Sequence, residues 1–340
     1  MAKIRRATAA LFVIALAAAI PAHADPVTIR IGWQAPPDKF LPMVANMSKV
    51  VPHNGHSYRV ELIRFGASSA QITALATDQI DLASYGYSSF ALAVENANLK
   101  DLRVVLDSGQ DGVPGYFSAE FAVLKSSGIT TIEGLKGKVL VANGPGSSGD
   151  IAIREMMRRH GMEDKRDYTL ISGPSNNQFP MLAERKADLV TISRTQATDP
   201  KVLAAISVLF RARDAFNGVT QWALYAARAG FLAKHRAAFQ DFIDDTIRVT
   251  RWEFDPRHRE EAIELLAKFT KRPAEVYRDY AFTRHDIYQD LDGKPDVAAL
   301  QSNVDIMHGL GFLKAALDVK PYIDLSFVDS AASRLGPAKP

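Results

Sequence analysis

Short apolar segments alternate with helical patterns along much of this 340-residue chain. The segments VTIRIGW (27–33), YRVELIRF (58–65) and IDLASYG (80–86) have the length and residue types of buried strands. Between them, PDKFLPMVANMSKVV (37–51) and SSAQITALATD (68–78) indicate helices, the second opened by serines that suit a helix N-terminus. Because parallel strands need a crossover between them, this alternation predicts an α/β fold with a largely parallel sheet covered on both faces.

A stretch rich in Gly and Pro, Asp107–Tyr116 (DSGQDGVPGY), interrupts this alternation and predicts a first crossing between two domains. A second set of strands follows it, KVLVA (138–142), YTLIS (168–172) and DLVTIS (188–193), again with helical segments between them. We expect a return crossing near residues 210–228, where the chain leaves this second set.

The chain is long enough to exceed what one hydrophobic core usually holds, so we expect two domains. Beyond Phe231 the sequence is mostly helical, and FLAKHRAAFQDFIDDTIRVTRWEF (231–254) is its clearest amphipathic segment. The predicted boundaries are a signal peptide at 1–24, a discontinuous first domain at 25–113 and 222–335, and a second domain at 114–221.

The first residues, MAKIRRATAALFVIALAAAIPAHA, have the composition of a cleavable secretory signal peptide. A basic start precedes an apolar run from Ala7 to Ile20, and Ala22-His23-Ala24 supplies an A-x-A cleavage site. The apolar run is shorter than a bilayer-spanning helix requires, so export with cleavage is the prediction. Three of the 41 basic residues lie in this leader, which leaves 38 basic against 38 acidic residues and gives no support for a nucleic-acid partner.

The residue types give little support for metal or thiol chemistry. The chain contains no cysteine, which excludes disulfides, thiolate metal sites and cysteine nucleophiles. His53 and His56 are close enough in sequence to suggest a metal pair, but no further ligand is evident. Asp290-Leu-Asp-Gly-Lys has part of a calcium-loop pattern without the remaining oxygen ligands. We therefore expect neither a metal nor another cofactor.

The turn Gly144-Pro145-Gly146-Ser147-Ser148-Gly149 matches G-x-G-x-x-G, which is typical of dinucleotide-binding turns. Such a site also needs an acidic residue at the end of the next strand. That strand ends in Ser172-Gly173-Pro174, whereas Glu163 and Asp164 come before it. The turn is therefore interpreted as a helix N-terminus whose free N–H groups and serine hydroxyls attract a small anion, with simple helix capping as the alternative.

Two further turns of similar character, Gly66–Ser69 and Ser84–Ser89, also lie between a strand and a helix. In open α/β sheets, ligands bind beyond the carboxyl ends of the strands. Two such sheets facing each other would place all three turns around one cleft.

Several segments together resemble one protein family. SGITTIEGLKGKVLVANGPGSSGDIAIREMMRRHGM resembles a passage of the nitrate/sulfonate/taurine-type substrate-binding proteins of ABC importers, which have thiamine-pyrimidine relatives. ITALATDQIDLASYGYSSFALA and MLAERKADLVT are similar to a second family pattern, although both lack its usual Gly. The resemblance implies a type II periplasmic-binding-protein fold, with two doubly wound α/β domains joined by two crossing strands around a cleft that a ligand closes.

Candidate ligand contacts lie at strand ends and helix starts. The aromatic rings are suited to stack on a flat ligand, with a core position as the alternative. Arg194 ends the strand DLVTIS and is suited to clamp a carboxylate or sulfonate, with a surface ion pair as the alternative. The predicted contacts are Trp33, Gln34, Ser68, Ser69, Tyr85 and Tyr87 on the first wall, and Asn143, Ser147, Ser148 and Arg194 on the second.

The resemblance implies a periplasmic, non-enzymatic receptor that delivers a small organic anion, carrying a sulfonate or a carboxylate, to an inner-membrane ABC permease with a cytoplasmic ATPase. A neutral or aromatic solute, such as a thiamine pyrimidine precursor, is the alternative. An enzyme on the same fold would need a reactive Lys or His in the cleft turns, which contain neither. We expect a monomer whose ligand is a small-molecule solute.

Overall fold

The computed structural model describes residues 25–34, 39–65, 68–97 and 99–338, and the predicted signal peptide lies outside these residues. Within them, the strands form two five-stranded sheets, and no helix is long and apolar enough to cross a membrane. In chain order the strands are β1 (Val27–Trp33), β2 (Tyr58–Arg64), β3 (Leu82–Gly86), β4 (Leu102–Asp111), β5 (Glu120–Leu124), β6 (Val139–Ala142), β7 (Thr169–Ser172), β8 (Leu189–Ile192), β9 (Ile206–Arg211) and β10 (Thr220–Arg228).

Helices cover these sheets and build most of the last third of the chain. They are α1 (Phe40–Asn46), α2 (Ser68–Ala76), α3 (Tyr87–Asn96), α4 (Ser148–Arg159), α5 (Ser175–Ala183), α6 (Pro200–Ala205), α7 (Ala212–Phe216), α8 (Ala229–Lys234), α9 (Arg236–Glu253), α10 (Arg259–Thr270), α11 (Glu275–Arg278), α12 (Val297–Gly309) and α13 (Ser326–Leu335).

The two sheets have the same pattern of strand directions. The first has the order β2-β1-β3-β10-β4 and the second β7-β6-β8-β5-β9. In each, one strand, β10 or β5, is antiparallel to both neighbours, and the other strands run parallel. The prediction of largely parallel sheets is confirmed, with one reversed strand in each. We call each sheet and its packed helices a lobe; residues 229–338 belong to the first lobe.

Both faces of each sheet are buried. Leu140 and Val141 of β6 are fully buried and belong to different hydrophobic clusters, as do Leu82 and Ala83 of β3. Since neighbouring side chains of a strand point to opposite faces, each pair of neighbours contacts a separate helical layer. This arrangement explains why the strands read as continuous apolar runs in the sequence.

The chain passes from the first sheet to the second at residues 112–119 and returns at 212–219. The two connections touch at glycines: a β-carbon placed on Gly112 would lie 2.6 Å from the carbonyl oxygen of Gly218. Gly112 also has a φ of +87°, which favours glycine. Both connections fall within or overlap the predicted crossings, and the exact domain boundaries remain predictions.

Replacing Gly112 by alanine is expected to lower the free energy of unfolding by about 3 kcal/mol, because left-handed strain adds to a clash between the connections. Gly55 is a matched control, since its φ is also +87° but no atom lies within 4 Å of the added carbon. Gly55→Ala should cost only about 1 kcal/mol. Urea denaturation of both variants measures the difference, and equal losses would contradict the prediction.

Three helical or strand segments differ from the predictions. The helix expected over 37–51 ends at Asn46, whose side-chain amide donates to the carbonyl oxygen of Pro42 at 2.7 Å and so satisfies a last-turn acceptor. The helix expected over 231–254 is divided at His235 into α8 and α9. The edge strand β9 was not predicted, because its last residues were assigned to the return crossing.

Candidate functional site

The turn 144–149 of the second lobe lies against the first lobe. A β-carbon placed on Gly146 would lie 3.7 Å from Leu92 Cδ1 of α3 and 4.0 Å from Phe312 Cε1. A β-carbon on Gly86, at the end of β3, would lie 3.8 Å from Ser148 Oγ. The turns 84–89 and 144–149 therefore meet between the lobes. Residues 66 and 67 of the third predicted turn lie outside the described residues.

Helix α4 begins at Ser148 because Ser147 caps it. The Ser147 hydroxyl accepts a hydrogen bond from the N–H of Asp150 at 3.3 Å. The Ser147 N–H donates to the carbonyl oxygen of Gly144 at 3.1 Å. The expectation of free N–H groups at this turn is therefore wrong for Ser147, whose N–H is used within the turn itself.

The carboxylate of Asp150 lies in the first turn of α4 and partly neutralises the positive partial charge at the N-terminus of this helix. It accepts the N–H of Gly146 at 2.8 Å and forms an ion pair with Arg154 at 2.9 Å. The N–H groups of Ser148 and Gly149 remain in the first helical turn, where the helix supplies no acceptor for them. An anion at this turn would therefore meet two N–H groups and the Ser148 hydroxyl beside an existing carboxylate.

Tyr85 and Tyr87, predicted to stack on a ligand, are buried. The ring of Tyr87 packs edge-on against Phe216 with a centroid distance of 6.1 Å. Neither hydroxyl has a hydrogen bond of normal geometry among the described residues. Burial raises the pKa of both hydroxyls, while nearby Ser148 partly opposes this for Tyr87. Both phenols therefore stay neutral and able to donate.

The second lobe contributes another hydroxyl without a partner in the described part of the chain, Thr191 Oγ1 at the end of β8. It would lie 3.3 Å from a β-carbon on Gly149, a tight contact that glycine avoids. Each buried hydroxyl without a partner costs about 1–3 kcal/mol. We call these residues together the interlobe seam: Tyr85, Tyr87, Ser148, Thr191 and Phe216.

The remaining predicted contacts of the first lobe lie at the carboxyl end of β1 and at the start of α2. Gln34 Nε2 donates to Ser68 Oγ at 2.9 Å, which joins these two predicted residues. The ring of Trp33 packs on Phe269 at 5.2 Å and under the guanidinium of Arg64 at 5.7 Å. Trp33 is therefore held by its own lobe. Ser69 lies in α2, but its side chain is outside the description.

Asn143 follows β6 and is held by α5. Its Oδ1 accepts from Gln178 Nε2 at 2.6 Å and from the hydroxyl of Ser175 at 3.0 Å. Gln178 is fully buried and also bonds to the carbonyl oxygen of Gly173 and the N–H of Thr191. One side chain thus fixes the ends of β6, β7 and β8 around the second wall.

Arg194 contacts a carboxylate of the protein itself. Its Nη1 forms an ion pair with Asp286 Oδ1 of the first lobe, and its guanidinium lies 5.4 Å from the ring centroid of Tyr280. Lys39 Nζ pairs with Asp286 Oδ2 at 3.1 Å. Sequence reasoning selected Arg194 but missed Asp286, because no local pattern links residues so distant in the chain. That Arg194 binds a ligand remains a prediction.

A buried carboxyl, Asp111, lies where β4 enters the first connection. It accepts from the hydroxyl of Ser118 at 2.5 Å and from the N–H of Ala119 at 2.9 Å, across the connecting segment. Burial raises the pKa of Asp111 to about 6, although these hydrogen bonds, Arg213 and Arg194 oppose the change. Asp111 therefore titrates near neutral pH in the folded protein.

This titration gives an expected pH dependence of stability. Because the folded protein binds the Asp111 proton more tightly than the unfolded chain, its stabilising contribution is largest at low pH and is lost as pH rises through about 6. Relative to Asp111→Asn, the wild type should gain about 1 kcal/mol between pH 7 and pH 5. Urea midpoints of both proteins at the two pH values measure this gain, and a constant difference would contradict it.

The described residues contain no group of three or more His, Asp or Glu side chains arranged to hold a metal ion. His53 Nδ1 instead pairs with the buried Asp245 at 2.9 Å. Asp164 accepts the N–H of Leu170 at 3.0 Å and pairs with Arg154. It therefore lies at the amino end of β7, where the sequence placed it, and not at the end that a dinucleotide ribose would require.

A family model described as NMT1/THI5 like matches residues 60–256. This range covers more than half of the chain and extends from β2 to the residues that follow α9. It includes Tyr85, Tyr87, Asn143, Ser148 and Arg194. No curated protein sequence matches the chain.

Solved structures resemble the chain along most of its length. The periplasmic aliphatic sulphonate binding protein SsuA from Escherichia coli is 21% identical, with a TM-score of 0.66 and coverage of 88% of this chain and 92% of that one. The periplasmic sulfonate-binding protein SsuA from Methylobacillus flagellatus is 17% identical, with a TM-score of 0.70 and coverage of 92% and 95%. The periplasmic nitrate-binding protein NrtA from Synechocystis is 15% identical, with a TM-score of 0.66 and coverage of 92% and 90%. The predicted periplasmic-binding-protein fold is confirmed.

Proposed function

Because the chain belongs to the NMT1/THI5-like family, we propose that it is the solute receptor of an ABC importer and captures a small organic anion between its lobes. The interlobe seam is the observation that carries this proposal. With the lobes in contact, hydroxyls from both lobes lack partners among the described residues. A solute that accepts hydrogen bonds from these hydroxyls would remove their cost and would stabilise the closed arrangement, since only there does it contact both lobes.

The start of α4 supports an anion that carries a sulfonate or a carboxylate. Two first-turn N–H groups and the Ser148 hydroxyl lie at the helix N-terminus, where partial positive charge favours anions. The solutes in the descriptions of the similar solved structures, sulfonates and nitrate, are anions as well.

A neutral solute is the second candidate, and the state of Arg194 favours it. The guanidinium is already paired with Asp286, and the seam consists of neutral hydroxyls and aromatic rings. A flat, uncharged ring with hydrogen-bonding nitrogens, as in a thiamine pyrimidine precursor, would suit these groups.

The proposed receptor acts in the periplasm as a monomer, after export through the predicted leader, and delivers its solute to an inner-membrane permease with a cytoplasmic ATPase. It performs no reaction on the solute. The seam, as described, offers no Lys or His side chain, and these are the groups that a reactive cleft on this fold would need.

Native mass spectrometry of the gently purified protein tests the proposal. We expect a small molecule to be retained at one copy per chain and released by unfolding. In a thermal-shift panel of alkanesulfonates, nitrate, carboxylates and pyrimidines, we then expect one class of compound to raise the melting midpoint of the protein. An anion in both experiments supports the first candidate, and a pyrimidine supports the second. A protein with no retained molecule and no shift would contradict the receptor function.

A further inference from the structure

The carboxylate of Asp286 is fully buried and has four partners. Lys39 Nζ lies 3.1 Å from Oδ2, and Arg194 pairs with Oδ1. The N–H groups of Phe282 and Ile287 donate to the two oxygens at 3.2 and 2.9 Å. Although burial opposes ionisation, the two cations lower the pKa of Asp286 below its usual value. Asp286 is therefore ionised in the folded protein.

These partners come from different lobes. Lys39 and the two N–H groups belong to the first lobe, as does Asp286, whereas Arg194 follows β8 in the second. Without Arg194, the carboxylate would keep one cation and two hydrogen bonds. If another anion replaced Asp286 as the partner of Arg194, the buried Asp286 carboxylate would therefore still be neutralised by Lys39. Loss of one partner usually leaves the other charge of a buried ion pair unpaired.

Arg194 also lies where the sequence predicts a ligand contact. It lies two residues after β8, at the carboxyl end of the sheet, and directly follows Ser193, the last residue of the predicted strand DLVTIS; 27% of its side chain is exposed. Among the described residues, its ion-pair partner is Asp286, a carboxylate of the protein itself.

We propose that Asp286 determines the charge specificity of the cleft: its carboxylate pairs with Arg194 as an internal anion, and an anionic solute at Arg194 must compete with it. This inference rests on the proposed receptor function. A neutral solute leaves the pair intact, whereas an anion competes with a carboxylate that is already desolvated and correctly placed. Removing the Asp286 charge should therefore favour anions selectively.

Calorimetric titration of Asp286→Asn with ethanesulfonate and with nitrate tests this inference. We expect the variant to bind at least one of these anions at least tenfold more tightly than the wild type, and Arg194→Gln added to the variant should abolish the gain. Asp245→Asn is the matched control, since Asp245 is another buried carboxylate, paired with Arg248 and His53 of the first lobe alone. It should leave anion affinity unchanged.

A variant that binds both anions no better than the wild type overturns the inference, and so does the absence of binding by both proteins. Circular dichroism checks that Asp286→Asn is folded. If that variant is unfolded, the same titration is made with Asp286→Ser. The two proposals fail separately. A wild type that retains a solute while Asp286→Asn gains no anion affinity contradicts only the role of Asp286; a gain without any solute on the wild type contradicts only the receptor function.

Discussion

Replacing Gln221 by leucine is expected to lower the free energy of unfolding by about 3–5 kcal/mol, because several buried polar groups would lose a partner together. Gln221 is fully buried on β10. Its Nε2 donates to Asp107 Oδ1 at 2.7 Å and to the carbonyl oxygen of Ala223 at 2.8 Å. Its Oε1 accepts the N–H of Asp296, the residue that caps α12, at 2.6 Å. One side chain thus joins β4, β10 and the start of a helix.

Urea denaturation with a constant m-value measures this loss. Gln79→Leu is the control, since Gln79 is exposed and a surface substitution of this kind usually changes stability by less than about 0.5 kcal/mol. Burial raises the pKa of Asp107 to about 7, although Gln221 opposes this. The loss should therefore be smaller at pH 5, where Asp107 is protonated, than at pH 8. A loss below about 1 kcal/mol would contradict the role given to Gln221.

Replacing Ser148 by tryptophan is expected to weaken solute binding at least about 100-fold, which corresponds to about 2.7 kcal/mol. Ser148 Oγ would lie only 3.8 Å from a β-carbon on Gly86 of the opposite lobe, so an indole ring there would hold the lobes apart. A solute that contacts only one wall loses the contacts that the other wall would supply. This expectation depends on the proposed receptor function.

The solute retained by each protein in native mass spectrometry gives the comparison, with the wild type and Ser326→Trp prepared in parallel. Ser326 is also the first residue of a helix, α13, but it is exposed and lies away from the seam. The control should keep its solute and the Ser148 variant should not. Equal retention by both variants would show that the seam does not need to close on the solute.

The sequence was sufficient for the fold because burial on both sides of a sheet leaves a continuous apolar run. KVLVA and DLVTIS became β6 and β8 for this reason. The edge strand β9 has a less uniform pattern, with several half-buried positions, and was therefore missed. Strand ends and helix starts gave the positions of the candidate contacts, since topology places these at the same edge of a sheet.

The partners of those contacts could not be predicted in the same way. Asp150 and Arg154 are one helical turn apart, a spacing at which ion pairs commonly form. Asp286 and Arg194 are separated by 92 residues, and nothing local to either indicates the other. The same holds for the Thr191 hydroxyl, which is buried without a partner among the described residues. Whether a polar side chain is already satisfied is a property of the packed structure.

The position of β10 between β3 and β4 has a consequence for the order in which the chain folds. During synthesis, every strand of the second sheet, up to Arg211, emerges before β10, whereas β4 has no neighbour in its own sheet until Arg228. The inserted half can therefore complete its sheet while the half that begins the chain remains open. We expect pulsed hydrogen exchange during refolding to protect the amides of β6 and β8 before those of β4. A chain built this way cannot complete the sheet of its first lobe until late in synthesis.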